Sequence, residues 1–280
     1  MIKGVKFLLP AVEINMGGFN VKQALPTQKV SQIDPFLLVH HAKSQYSDLL
    51  PARHQGIDPH PHRGFSPITI VIKGELRHRD SRGNDQVARP GEIQWMNAGA
   101  GIIHSERPTE ELLRNGAYQE IIQIWINSPK AHKLDIPSYR LYKEENFRTE
   151  VSEDGLLTSK LLKHAEQPRI DLYMIKGQKE GSMKFAISED HNSFLYIVNG
   201  SLRVKGYGKV DAEHLIAFER EGDEILISCL SSCEFLILSG KPIDEKIVQS
   251  GPYVMNTETE ILEAIRDFQM GKMGILIEDY

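Results

Sequence analysis

A chain of 280 residues, 40% hydrophobic and 25% charged, carries enough apolar material for a real core in one large domain or two of ordinary size. Its net charge of -5 and the lack of a basic run argue against direct nucleic-acid binding, which depends on Lys and Arg neutralising phosphates. No segment approaches the roughly 20 uninterrupted apolar residues of a membrane span, and Met1-Ile2-Lys3-Gly4-Val5 lacks the apolar run of a secretory leader.

In chain order the elements read mostly as strands. The stretch Gly56-Ile57-Asp58-Pro59-His60-Pro61-His62-Arg63-Gly64-Phe65 sets two histidines either side of a proline and runs into Ser66–Leu76, which is rich in β-branched residues and turns at Gly74. Arg89-Pro90-Gly91-Glu92 is a turn signal before a strand over Ile93–Met96, and Gln119–Asn127 is a further apolar strand. The pattern then repeats. Phe194–Leu202 parallels Ile68–Leu76, and Glu221–Ile225 parallels Arg89–Ile93. Such a repeat of strands and Gly turns predicts a duplicated β-barrel unit rather than βαβ units. The join is expected in the polar, Pro-bearing stretch from Ser128-Pro129-Lys130 to Ile136-Pro137, dividing the chain into domains 1–134 and 135–280. Cys229 and Cys233, the two cysteines, lie in apolar surroundings and are expected as buried free thiols of a reducing, cytoplasmic compartment. Near the end, Thr257 and Glu260 fit a helix capping box. Ile261, Ala264, Ile265 and Phe268 then share one helical face, and Gly271 supplies the stop.

The chemistry lies in two pairs. On a strand, residues two apart point to the same side, so His60 and His62 can present two imidazoles to one point, with Pro61 limiting the local conformations. Ala98-Gly99-Ala100-Gly101-Ile102-Ile103-His104-Ser105-Glu106 offers a second pair, His104 and Glu106. Two neighbouring antiparallel strands with one pair each would supply three imidazoles and a carboxylate. That set suits a divalent first-row metal and leaves octahedral positions open for substrate. Iron(II) is the expected ion, with Mn, Ni, Co, Cu and Zn as alternatives. The remaining histidines are read as surface or hydrogen-bonding residues. Among them His40-His41 is the pair that could approach the cavity, and His191 and His214 have no partner two residues on.

His60-Pro61-His62-Arg63-Gly64-Phe65 and Gln94–Glu106 resemble the signature of the pirin family. Asp34-Pro35-Phe36-Leu37-Leu38 and the tail Gly251–Thr257 with Ile265–Phe268 are similar to further family motifs, so the likeness spans most of the chain. The resemblance implies an all-β bicupin, two tandem jelly-roll barrels with a short C-terminal helix and metal in the N-terminal barrel only. It implies His60, His62, His104 and Glu106 as the metal ligands. It also implies a quercetin 2,3-dioxygenase activity, in which a flavonol reacts with O2 and the ring opens to a depside and carbon monoxide. Glu106 would then double as ligand and general base, and Phe65, Trp95 and Met96 are expected to line the cavity. The other role seen in the family is that of a non-enzymatic metal-binding regulator or redox sensor whose protein partner is a transcription factor or metabolic enzyme. A structural storage cupin has no need of four ligands at this spacing. A monomer suffices for the enzyme reading.

Overall fold

In the computed structural model, which describes residues 1–16 and 19–278, β-branched side chains alternate with polar ones across two sandwiches of the same design. The first is built from β1 (Phe36–Gln45), β2 (Ile57–His62), β3 (Phe65–Lys73), β4 (Leu76–Asp80), β5 (Asp85–Ala88), β6 (Ile93–Asn97), β7 (Ile102–Arg107), β8 (Tyr118–Asn127) and β9 (Ser138–Tyr142). A seven-stranded sheet runs β9-β6-β3-β8-β1 and continues through Phe19–Leu25 to Val12–Met16. A four-stranded sheet runs β2-β7-β4-β5. Strand β3 is buried on both faces from Phe65 to Ile72, whereas in β8 the fully buried Ile122, Ile124 and Ile126 alternate with half-buried Gln123 and Trp125.

The second barrel repeats this order strand for strand. Its seven-stranded sheet begins Val5–Pro10, His214–Phe218, Asn192–Asn199, Cys233–Gly240 and Ile170–Gly177. Its four-stranded sheet runs Ser182–Ala186, Glu224–Cys229, Ser201–Val204 and Gly208–Asp211. The duplication expected from Phe194–Leu202 and Ile68–Leu76 is therefore present in the topology, and the protein is an all-β bicupin. The strands that take the places of β2 and β7 here are Ser182–Ala186 and Glu224–Cys229. They turn Phe185, Ile225 and Ile227 into a packed apolar core where the first barrel carries histidines.

The chain folds into two compact units. One unit comprises Met1–Ile14, Lys22–Leu38 and Glu145–Ile243 and holds most of the second barrel; the other comprises Asn15–Val21, Val39–Glu144 and the chain from Asp244 onward and holds most of the first. The reason is edge pairing and burial. Val5–Pro10 adds a strand beside His214–Phe218, with Leu9 opposite Leu215, and so covers a sheet edge. Helix α2 (Glu258–Gln269), which follows the five-residue α1 (Glu110–Arg114), buries Ile261 and Ala264 with Tyr253, Met255 and Met273, and Ile103 of β7 packs on the same cluster. The capping box of Thr257 and Glu260 is formed as expected. Phe268, expected on the buried face, is 37% exposed. Among the described residues, no helix is long and apolar enough to cross a membrane.

Candidate metal centre

Strands β2 and β7 lie side by side and antiparallel, with His60 opposite His104 and His62 opposite Ile102. This register brings the three imidazoles into one cluster. Ring centroids are 4.3 Å apart for His60–His104, 4.8 Å for His60–His62 and 5.0 Å for His62–His104. One nitrogen from each of the three lies within 4.8 Å of the others, a spacing that could hold a metal ion. His62 and His104 are buried, and His60 is half-buried.

Each ring commits Nδ1 elsewhere. His60 Nδ1 lies 2.8 Å from the Asp58 carbonyl, and His62 Nδ1 lies 3.4 Å from the Pro252 carbonyl. A carbonyl only accepts, so both rings donate through Nδ1, and Nε2 is the nitrogen left to ligate. His104 Nδ1 lies 3.4 Å from Nδ1 of His78, while its Nε2 is buried with no partner among the described residues. An orphaned buried ring nitrogen in a polar cluster fits an ion better than it fits an apolar core. Burial, and then the His60 charge, hold His62 well below the ordinary histidine range, with the Pro252 carbonyl opposing. Burial and the neighbouring imidazoles do the same for His104. Both are therefore neutral, the form that ligates.

Glu106 is not among the three. The pairing with β2 slips between His104 and Glu106, so the same-side rule does not carry the carboxylate onto the imidazole cluster unaltered. It is buried and accepts from Thr69 Oγ1 at 3.1 Å and Gln123 Nε2 at 2.9 Å. Trp125 Nε1 donates to Gln123 Oε1 at 3.1 Å, which fixes the amide with its NH2 toward Glu106. Phe65 touches both His62 and Trp125, at 5.1 and 4.4 Å between centroids, and Trp125 stands 5.3 Å from His62. Trp95 instead packs on Tyr142, and Met96 joins Ala98, Ile102 and Tyr139 in a separate cluster. The rings beside His62 are thus Phe65 and Trp125. The hint lay in Gln123 and Trp125, two apart and half-buried on a strand whose alternate isoleucines are fully buried.

The loop after β2 is clamped by the end of the chain. Arg63 donates through Nε to the Ala100 carbonyl and through both terminal nitrogens to Asp267 of α2. Lys133, fully buried and lowered by burial to about 8, donates to the carbonyls of Gly64 and Val254 and to Asn127 Oδ1. Gly64 (φ +84°) and Gly99 (φ +44°) are required, because a Cβ would meet the Val254 or Asp135 carbonyl oxygen at 2.1 Å.

His41 does not approach the cluster. Its Nε2 is 2.9 Å from Glu120 Oε1, and both are buried. Burial alone lowers His40 to about 4. In the second barrel His191 meets Ser239 Oγ and His214 meets the Ala212 carbonyl, each at 2.9 Å. The thiols of Cys229 and Cys233 are free and buried.

The family model for Pirin matches residues 18–126, and that for the Pirin C-terminal cupin domain matches residues 172–274. The chain is 32% identical over 267 residues to the pirin-like protein of Caulobacter vibrioides, covering 91% of this chain and 93% of that one. It is 30% identical to the pirin of Homo sapiens, covering 92% and 89%. A crystal structure of quercetin 2,3-dioxygenase from Acinetobacter baumannii superposes with a TM-score of 0.89 at 28% identity, over 99% of this chain and 100% of that one.

Proposed function

This chain belongs to the pirin family, and on that premise we propose that its first barrel is a metal-dependent dioxygenase that opens the ring of a flavonol such as quercetin. The observation that carries this reading is the convergence of three imidazoles, with the Nε2 of His104 buried and without a partner among the described residues. His60, His62, His104 and Glu106 are the proposed ligands. Three imidazoles with one carboxylate suit iron(II), with Mn, Ni, Co, Cu and Zn able to compete. The similar A. baumannii structure, named for quercetin 2,3-dioxygenase, supports the substrate class.

When bound, such an ion supplies Lewis acidity that lowers the pKa of a coordinated hydroxyl. The chain's own residues do the rest. Phe65 and Trp125, at an angle of 35° beside His62, offer an aromatic wall for a planar ring. Glu106 accepts the flavonol 3-hydroxyl proton on a carboxylate oxygen. Thr69 and Gln123 each hold one oxygen of that carboxylate, so it needs no reorientation to take the proton. We place the reaction in the cytoplasm, where Cys229 and Cys233 stay reduced.

The test is direct. Purified protein is loaded anaerobically with iron(II), mixed with quercetin and air, and followed by loss of the flavonol absorbance. Turnover that disappears in His104→Ala and Glu106→Ala is the expected result. No turnover with iron, manganese, nickel, cobalt or copper overturns the reading.

A further inference from the structure

Beneath His104 lies a polar chain that the reaction as described does not use. His78 of β4 is buried, its Nδ1 3.4 Å from His104 Nδ1 and its Nε2 3.0 Å from Asp80 Oδ2. Asp80 is buried too, and its carboxylate accepts from the backbone N–H groups of Arg82 and Asn84 and from the Asn84 side chain. The Tyr139 ring stacks on His78 at 4.3 Å and 17°, fixing its plane. Strand β4 pairs with β7, Asp80 opposite His104 and His78 opposite Glu106, so the chain is built into the sheet that carries the proposed ligand.

For a neutral His78 ring, the acceptors set the order of donors. Asp80 already receives three N–H donors as a carboxylate, so it accepts from His78 Nε2 as well, and that nitrogen carries the proton. In a neutral ring the other nitrogen, Nδ1, is then a lone pair. It faces only His104 Nδ1, which must donate. His104 Nε2 is left without a proton and is buried with no partner among the described residues. We infer that Asp80 and His78 are positioning residues that lock His104 in the single tautomer able to ligate through Nε2. This inference rests on the reading of His104 as a ligand and adds two residues to the site. Outer partners of this kind typically change metal affinity 10–100-fold.

The two residues make different predictions. In Asp80→Asn the amide can donate to His78 Nε2. That inverts His78, puts its proton on Nδ1 and drives His104 to carry its proton on Nε2. In His78→Phe the stacking surface for Tyr139 and the Asp80 turn both stay, but His104 loses its acceptor and its tautomers mix. The experiment uses ¹⁵N-histidine-labelled, metal-free protein and reads the His104 ring nitrogens by NMR. It then measures nickel(II) affinity by competition with a chromophoric chelator, with metal-free thermal unfolding as the check on folding. Wild type is expected to show one species, protonated on Nδ1. His78→Phe should show a mixture with 10–100-fold weaker nickel binding, and Asp80→Asn the opposite tautomer with binding weaker still. A wild-type ring protonated on Nε2, or His78→Phe binding nickel like wild type, overturns the inference. If the tautomer and affinity results hold and quercetin is not consumed, the oxygenase reading fails and the relay stands.

Discussion

Both terminal nitrogens of Arg63 lie 3.1 Å from one oxygen of Asp267, a residue 204 positions later on α2. The side chain next to His62 is thereby held by the C-terminal helix. Asp267→Asn weakens a hydrogen bond between charged groups and should cost about 2 kcal/mol of stability. Denaturant titration checks the cost, and nickel affinity should fall with it because the His62 loop loosens. An unchanged unfolding midpoint would show the clamp to be passive.

Metal binding should also read out as stability. An ion that binds only the folded barrel, supplied at 100 times its Kd, should add about 2.7 kcal/mol. Thermal unfolding with and without nickel(II) measures this. His104→Ala should erase the gain, whereas His191→Ala in the second barrel should leave it intact.

Trp125→Phe keeps a ring against Phe65 and His62 and removes the indole N–H that holds Gln123. The lost hydrogen bond is worth about 1 kcal/mol, or roughly a fivefold fall in kcat, with KM for the flavonol nearly constant. Equal kcat in the variant argues that Gln123 is oriented by other means.

Gly64→Ala should cost more than about 2 kcal/mol, since it adds left-handed strain to a Cβ contact of 2.1 Å with backbone. Gly83→Ala, at a similar φ of +89° but with open space around it, should cost only the strain. Similar losses at both positions would deny the clash at Gly64.

Stability should fall in acid through Glu120. Burial works to raise this carboxyl, but the His41 hydrogen bond and charge, with Lys73 at 3.3 Å, outweigh it and bring it from 4.5 to about 2. A depressed folded value stabilises the protein above pH 4.5, and that contribution is lost as pH falls toward 2. Melting curves from pH 6 to 3 should show a flatter decline in Glu120→Gln. Parallel declines would remove Glu120 from the account.

The repeated Gly turns and apolar runs are local consequences of chain composition, so the two barrels were legible from spacing alone. So was the same-side placement of His60 and His62, because alternation along a strand puts i and i+2 on one side. The same rule, together with the family likeness, put Glu106 beside His104 as a ligand, but the register slip beside His104 is invisible to a rule that assumes regular pleating. Trp125, Gln123, His78, Asp80 and Tyr139 come from strands β4, β8 and β9. Nothing short-range in the sequence ties them to the histidine pairs.

Sequence by itself determined the strand-rich duplication and the same-side placement of His60 and His62, since these follow from turn spacing and from side-chain periodicity within a single strand. Tertiary structure decided which aromatic stands beside them, which groups set their tautomers, and which end of the chain closes on which barrel. Those depend on hydrogen bonds and burial between segments up to two hundred residues apart, and a linear pattern encodes no such pairing.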